Sequence, residues 1–213
     1  MPERTLVIGD VHGCLDELRA LLVRCSFDAS ADRLVLLGDL LDRGPDPVGC
    51  VQLARELGAE SVLGNHEETH LRFRKHRQQQ ETQPGYKNPM RGFEAERMRQ
   101  HQALSEDDWA YIEGMPVVLP LAPDFVAVHA GLLPGRPLAE QPRRSMVRLR
   151  YLDADGDFTR KRRAPAHNPG DWDGLDYRFT RSVPVAQALR VQVSVATGGA
   201  RRRTLTIEAD ELA

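Results

Sequence analysis

The chain has 213 residues, 41% of them hydrophobic and 28% charged, with a formal net charge of −2 at pH 7. That length supports a single domain over residues 1–213 with a sizeable core, and the near balance of charge gives no broad basis for nucleic-acid or membrane binding. The opening apolar run of Leu6, Val7 and Ile8 is too short for a secretory leader, no stretch approaches the roughly 20 apolar residues of a membrane span, and Cys14, Cys25 and Cys50 lack zinc-site spacing and read as reduced thiols of a cytoplasmic protein.

Residues 5–8 read as a short buried strand. Leu15, Leu18, Leu21 and Leu22 then fall at helical spacing, with Cys25 on the same face. Residues 33–37 form a second predicted strand, apolar at Leu34, Val35, Leu36 and Leu37. Pro47 suits the first turn of the next helix, which carries Val48, Val51 and Leu57. Residues 61–63 form a third strand. Strand, helix, strand, helix, strand predicts a parallel sheet with right-handed crossovers. Ligands of such sheets gather at the carboxyl ends of the strands.

From about 67 to 114 the pattern turns polar, with Gln78, Gln79 and Gln80 in a row. This stretch reads as a helical cap inserted over the strand ends, interrupted by a loop at 84–89. Ser105 and Asp108 have the spacing of a capping box ahead of a helix carrying Trp109 and Ile112. His70, His76 and His101 read as surface residues of this cap, although His70, one turn beyond His66, can face the strand ends. Residues 117–119 and 125–128 return to strand character, and His129 ends the second. Residues 146–152 fit strand or helix. Residues 160–163 are a basic run, 165–174 a loop, and 191–196 and 204–207 alternate as strands do.

Four motifs follow four of these strands: Gly9-Asp10-Val11-His12-Gly13, Gly38-Asp39-Leu40-Leu41-Asp42-Arg43-Gly44, Gly64-Asn65-His66-Glu67 and His129-Ala130-Gly131. Asp, His and Asn supply the oxygen and nitrogen donors that suit Mn, Fe or Zn. Two such ions about 3.5–4 Å apart share a bridging oxygen and clamp the attacking and leaving oxygens of a phosphoryl transfer. Asp39 is the natural bridging carboxylate. Asp10 and His12 would complete one metal, and Asn65 and His129 the other. A water bridging two cations loses a proton near neutral pH and becomes the nucleophile. Arg43 offers a fork of donors for phosphate oxygens. His66 can protonate the leaving oxygen if Asp42 orients its other ring nitrogen. Each piece alone has a plainer reading: Gly-Asp as a turn, Asp42-Arg43 as a surface pair, Asn65-His66 as a helix cap. The conjunction of four in consistent order outweighs them.

Taken together, the four motifs resemble those of the calcineurin-like metallophosphoesterases. They are similar above all to the phosphoprotein-phosphatase branch, with its bacterial protein-phosphatase-like and dinucleoside-tetraphosphatase-like members. The likeness is strong over residues 5–69 and returns at 117–133. It implies an α/β fold, the layered αββα sandwich, with two divalent ions at its edge. It implies Asp10, His12 and Asp39 on one ion, and Asp39, Asn65 and His129 on the other. It implies His66 as general acid paired with Asp42, and Arg43 as a phosphate clamp. Met146 to Tyr151 resembles the segment that carries a second phosphate-binding arginine, Arg148 or Arg150, with Arg148 taken as the candidate.

The chain also departs from that family. A further histidine is expected in a Gly-His motif downstream of Asp171-Trp172, yet no histidine follows His167. Either the second ion has one ligand fewer, or His167 stands in as a ligand, or the tail has diverged. The expected activity is hydrolysis of phosphomonoesters, with phosphoserine or phosphothreonine proteins as substrates, by direct attack of metal-bound hydroxide. The alternative substrates are dinucleoside polyphosphates, nucleotides or RNA ends. A third reading is a degenerate member that holds a phosphorylated partner without turnover.

Overall fold

The computed structural model describes residues 4–122, 125–133, 136–152, 158–159, 191–195 and 203–207. Strands β1 (Arg4–Ile8), β2 (Asp32–Leu36) and β3 (Glu60–Ser61) form a parallel sheet in the order β1-β2-β3. Ile8 is level with Leu36, so the β1 and β2 loops leave the sheet side by side. Helices α1 (Leu15–Arg24) and α2 (Pro47–Glu56) make the two crossovers. Asp46 caps α2 by accepting from the Gly49 N–H at 2.8 Å, with Pro47 next to it in the first turn.

The alternation along the strands sets the layers. Leu6 and Ile8 of β1, with Leu34 and Leu36 of β2, point into the main core with Leu18, Leu21, Leu22, Cys50, Val51 and Ala54 from the two helices. Val35, between two of them, points to the other face. There it meets Val62 and Ala127, with Val7, Leu37, Leu119 and Leu121 around them. That second layer is an antiparallel hairpin of β4 (Leu119–Ala122) and β5 (Phe125–Ala127). The layered α/β class follows from these two opposite apolar faces. Leu36 is fully buried, and truncating such a leucine to alanine costs about 2–5 kcal/mol.

The polar stretch folds as α3 (Asn65–Thr82), α4 (Ala95–Ala103) and α5 (Glu106–Glu113). The capping box on α5 is present, with the Ser105 hydroxyl and the Asp108 carboxylate each satisfying the other's backbone N–H. Trp109 and Ile112 of α5 join the main core. Arg55 of α2 meets Asp108 at 3.3 Å. We propose that residues 1–213 form one domain and that the part overhanging the strand ends is narrower than 67–114, namely the outer turns of α3 together with α4.

Boundaries differ from expectation by a residue or two at most strands, β3 covering Glu60–Ser61 rather than 61–63, and by more in the later chain. β4 starts at Leu119 rather than at 117, and the Pro116 carbonyl instead accepts from Leu63 N–H beyond the end of β3. Proline within β4 (Pro120) can donate no ladder bond, so the hairpin stays short and at an edge. Residues 146–152 divide between a short helix, α6 (Arg143–Arg148), and β6 (Tyr151–Leu152), which pairs antiparallel with β7 (Phe158–Thr159). The last two expected strands are β8 (Val191–Val195) and β9 (Arg203–Ile207), an antiparallel pair. The expected basic run at 160–163 and the loop at 165–174 lie outside the described residues.

Candidate metal centre

The loops after β1 and β2 are folded into shapes that side chains resist. His12, Asp39, Asp42 and Arg43 all have positive φ, from 49° to 76°. Such conformations cost free energy for non-glycine residues and collect at functional sites. Backbone bonds between loops hold them. The His12 N–H donates to Asp39 O at 2.8 Å, Gly13 N–H to Leu40 O at 2.9 Å, and Gly44 N–H to His12 O at 2.8 Å. Gly64 permits a close approach: a Cβ there would lie 2.3 Å from both the Asp39 N and Oδ1 atoms.

Glu67 completes the frame and was not singled out by the sequence reading. It is fully buried in the first turn of α3. It accepts from three consecutive peptide N–H groups, Asp39 at 2.8 Å and Leu40 and Leu41 at 2.9 Å. Burial and the nearby Asp39 charge push its carboxyl up, against those three donors. A glutamate on a helix's first turn next to a glycine-bounded loop was the available signal.

Within this frame Asp39 stands at the centre. Its Oδ2 lies 3.5 Å from His12 Nε2 and 3.8 Å from His66 Nε2. Its Oδ1 lies 3.5 Å from His129 Nε2 and accepts the His66 N–H at 3.0 Å. Two donor sets converge on it, His12 with His66, and Asp10 with His129, each within 4.8 Å. Asp10 lies 4.0 Å from His12 Nε2 and 3.8 Å from His129 Nδ1. Asn65 Oδ1 lies 3.2 Å from His129 Nε2. All five residues expected to hold metal therefore meet at one place, together with His66.

The tautomers test whether cations fit there. His12 Nδ1–H donates to Leu41 O at 3.0 Å, and His129 Nδ1–H donates to Leu37 O at 2.7 Å. Both Nε2 atoms therefore present lone pairs. His12 Nε2 is buried with no hydrogen-bond partner, and burial lowers the His12 pKa, so the ring stays neutral. His129 Nε2 faces the oxygens of Asn65 and Asp39. Burial raises the Asp10 carboxyl, and Asp39 beside it adds to the effect. Lone pairs converging on lone pairs in a buried acidic cluster need positive charge between them. The residues fit divalent cations, with neutral imidazoles and carboxylates as donors.

Around the centre, His66 Nδ1–H donates to Asp42 Oδ2 at 2.6 Å. Burial opposes ionisation of Asp42. Hydrogen bonds from His66 and His70, with the charge of Arg97, outweigh it and hold the carboxyl far below the usual carboxylate range. Arg43 is exposed at the end of the β2 loop, and its charge reaches His12. Arg148 does not point to the cluster. It is bound to Glu68 Oε2 at 2.5 Å, Thr69 Oγ1 at 2.9 Å and Asn65 O at 3.2 Å. Arg150 is exposed and donates to Asn65 Oδ1 at 2.8 Å, so it is the arginine of that segment which reaches the donor set. The helix takes up Arg148 on the α3 side, and the turn after it delivers Arg150.

His76 and His101 differ from the surface role expected of them, and His70 takes the alternative of facing the strand ends. His70 is fully buried and meets Asp42 Oδ1 at 3.0 Å. His101 is half-buried against His70, Phe73, Phe93 and Trp109. His76 is half-buried and bonds to the Tyr86 hydroxyl. Apart from Phe73, these neighbours come from two loops and from α4 and α5, so hydrophobic periodicity along α3 could not reveal them. His167 lies outside the described residues.

Comparison with known proteins agrees with the geometry. A bis(5'-nucleosyl)-tetraphosphatase (symmetrical) of Aromatoleum aromaticum is 35% identical over 153 residues, covering 70% of this chain and 51% of that protein. Serine/threonine-protein phosphatase 1 of Salmonella typhimurium is 51% identical over 65 residues, 30% of each chain. The chain thus matches about half, or less, of the length of these relatives. The crystal structure of a candidate diadenosine tetraphosphatase superposes with a TM-score of 0.72, over 98% of this chain and 96% of that one, at 24% identity. That likeness bears on the fold alone. The profile of the calcineurin-like phosphoesterases matches residues 3–190, and the chain belongs to that family.

Proposed function

We propose that this chain is a metal-dependent phosphoesterase whose favoured substrates are dinucleoside polyphosphates. The observation that carries the hydrolase reading is the placement of Asp39 between His12, His66 and His129, beside a His66 ring held by Asp42. Asp10, His12, Asp39, Asn65 and His129 are the proposed holders of two divalent cations, with Mn²⁺ the first choice and Fe or Zn the others. Such cations, when bound, neutralise phosphoryl charge and supply an activated water. Arg43 and Arg150, both exposed, receive the phosphate oxygens through their guanidinium forks. Asp42 keeps the Nδ1–H of His66 engaged, which leaves Nε2 to hand a proton to the leaving oxygen. A pure phosphate binder has no use for that pair.

Substrate choice inverts the order expected from sequence. Phosphoserine and phosphothreonine proteins stood first there. The matches that span most of this chain are instead to proteins named as tetraphosphatases, while the named protein phosphatase matches a shorter segment. Three free cysteines suit a reducing, cytoplasmic setting, and no described helix is long and apolar enough to cross a membrane. The test is incubation with diadenosine tetraphosphate and Mn²⁺, followed by product chromatography, beside a phosphoserine peptide. Release of ADP as the main product is expected. Faster release of inorganic phosphate from the peptide would return the protein-phosphatase reading to first place.

A further inference from the structure

Asp42 has more partners than the orientation of His66 requires. Its Oδ2 accepts from His66 Nδ1 and from Arg97 Nη2, each at 2.6 Å. Its Oδ1 faces His70 Nε2 at 3.0 Å. An ionised carboxylate can only accept, so the proton of His70 is assigned to Nε2. His70 Nδ1 is then left as an acceptor facing His101 Nδ1 at 3.3 Å. His70 shares α3 with His66, but Arg97 comes from α4, across the loop that follows α3.

Arg97 is held from three sides: besides Asp42 and the aromatic ring below it, its Nε lies 3.3 Å from His70 Nε2, a longer approach than the 3.0 Å between that nitrogen and Asp42 Oδ1 to which the His70 proton is assigned. Its guanidinium lies 4.5 Å over the ring of Phe93. Phe93 is stacked on Phe73 of α3, with ring centroids 3.9 Å apart and planes 17° apart. The aromatic shelf sets the plane of the guanidinium, and the Asp42 carboxylate takes its edge. A planar fork that stacks and donates at once is a role lysine cannot fill. The side chain is 29% exposed and that of Asp42 only 10%, so the pair is partly shielded and its geometry is defined.

We propose that Arg97 is a positioning residue for the His66–Asp42 pair. The proposal rests on the general-acid role given to His66 above. By sharing Oδ2 with His66, Arg97 fixes the rotation of the carboxylate and keeps its charge on the Nδ1–H of His66. The ring plane of His66, and so the aim of Nε2, becomes dependent on the docking of α4. The overhanging helices are then part of the acid machinery rather than only a cover. Without Arg97, Asp42 Oδ2 is open to water and the carboxylate is held by two histidines alone.

The experiment uses the full chain with Mn²⁺ and three variants, Arg97→Ala, Arg97→Lys and Phe93→Leu. Turnover is compared on an alkyl phosphoester, which needs its leaving oxygen protonated, and an aryl phosphoester, which needs it less. Arg97→Ala should lower kcat on the alkyl ester roughly 10–100-fold, the usual cost of removing a group that orients a catalytic one. The aryl ester should lose far less, with KM and bound manganese unchanged, and Arg97→Lys should recover only part. A second readout needs no turnover and uses diamagnetic Zn²⁺ in place of paramagnetic Mn²⁺: the nuclear magnetic resonance signal of the His66 Nδ1–H proton, identified by its loss in His66→Asn. That signal should broaden or shift in Arg97→Ala and return partly in Arg97→Lys. If Arg97→Ala fails to fold, Arg97→Lys and Phe93→Leu carry both comparisons. A wild type that hydrolyses no phosphoester but shows the proton response would sink the hydrolase reading and leave the positioning role standing. An unchanged proton signal, or equal losses on both esters, would overturn the positioning role.

Discussion

The strand-end loops and the helices docked above them both touch Asp42, but they are held in place differently. On the loop side, peptide groups bond to peptide groups, four non-glycine residues accept positive φ, and Glu67 ties three N–H groups together. On the helix side, the contacts are between side chains: His70 to Asp42, Arg97 to Asp42 and Phe93, Phe93 to Phe73. Backbone-bound loops resist displacement because every shift breaks peptide hydrogen bonds in a buried setting. Side-chain shelves are more easily reshaped by substitution. The proposed donors for metal sit on the first kind of support, where ångström-scale placement matters most. The second kind would adjust the proposed acid, His66, beside them.

That contrast can be broken at its sharpest point by His66→Asn. The donor cluster should remain, while turnover of poor leaving groups falls roughly 10²–10⁴-fold, the usual worth of positioned proton transfer. Kinetics with elemental analysis of the same samples checks it. A matching loss of metal would mean that His66, which lies 3.8 Å from Asp39, belongs to the donor set instead.

Next in size is Gly64→Ala. The added methyl would meet the Asp39 backbone and carboxylate at 2.3 Å, and neither can yield without breaking the loop. Overpacking of this kind costs roughly 1–3 kcal/mol or more. Thermal melting should show the loss, and metal affinity should fall with it. An alanine variant with wild-type affinity would show that the loop is softer than its hydrogen bonds suggest.

How far these supports were legible in the sequence follows the same division. The glycine-bounded motifs at 9–13, 38–44 and 64–67 announced the loops, since few other functions need Asp, His and Asn at successive strand ends. The strands and helices through residue 66 were readable because Leu18, Leu34, Val35, Leu36 and Val51 repeat at the periods of their elements. The helices above were harder. The residues α3 buries are Glu67, His70 and Phe73, two of them polar, so the stretch reads as a solvated face. Phe93 lies four residues before Arg97, but nothing local marks Arg97 as a partner of Asp42, which comes from the loop after β2. Arg148 and Arg150 could not be separated until α6 ended between them and turned one away from the donor set.

Acid should loosen the helix side in a defined window. Burial among aromatic rings and near His70 lowers the His101 pKa from its ordinary value of 6.5 to about 4. The unfolded chain therefore takes up the proton first as pH falls. The stability from this residue is complete above about 6.5 and is lost progressively toward 4. Asp42, also held low, adds to the loss only in stronger acid. His101→Phe should flatten the fall in melting temperature between those two pH values. A slope identical to wild type would place the acid sensitivity elsewhere.

The smallest effect is expected two residues from Arg97 on the same helix. Arg99 pairs with Glu96 in the open, with side chains 69% and 67% exposed. Exposed pairs of this kind contribute little. Arg99→Ala should leave melting temperature and kcat unchanged, and so serves as the control for Arg97→Ala.

The central claim is that the strand-end loops form a centre for two divalent ions built around Asp39. Calorimetric titration of chelator-treated protein with Mn²⁺ tests it most directly, with Asp39→Asn measured alongside. Uptake of two ions per chain by the wild type, and loss of tight binding in Asp39→Asn, is the predicted result. No uptake by the wild type, or undiminished uptake by Asp39→Asn, would contradict it.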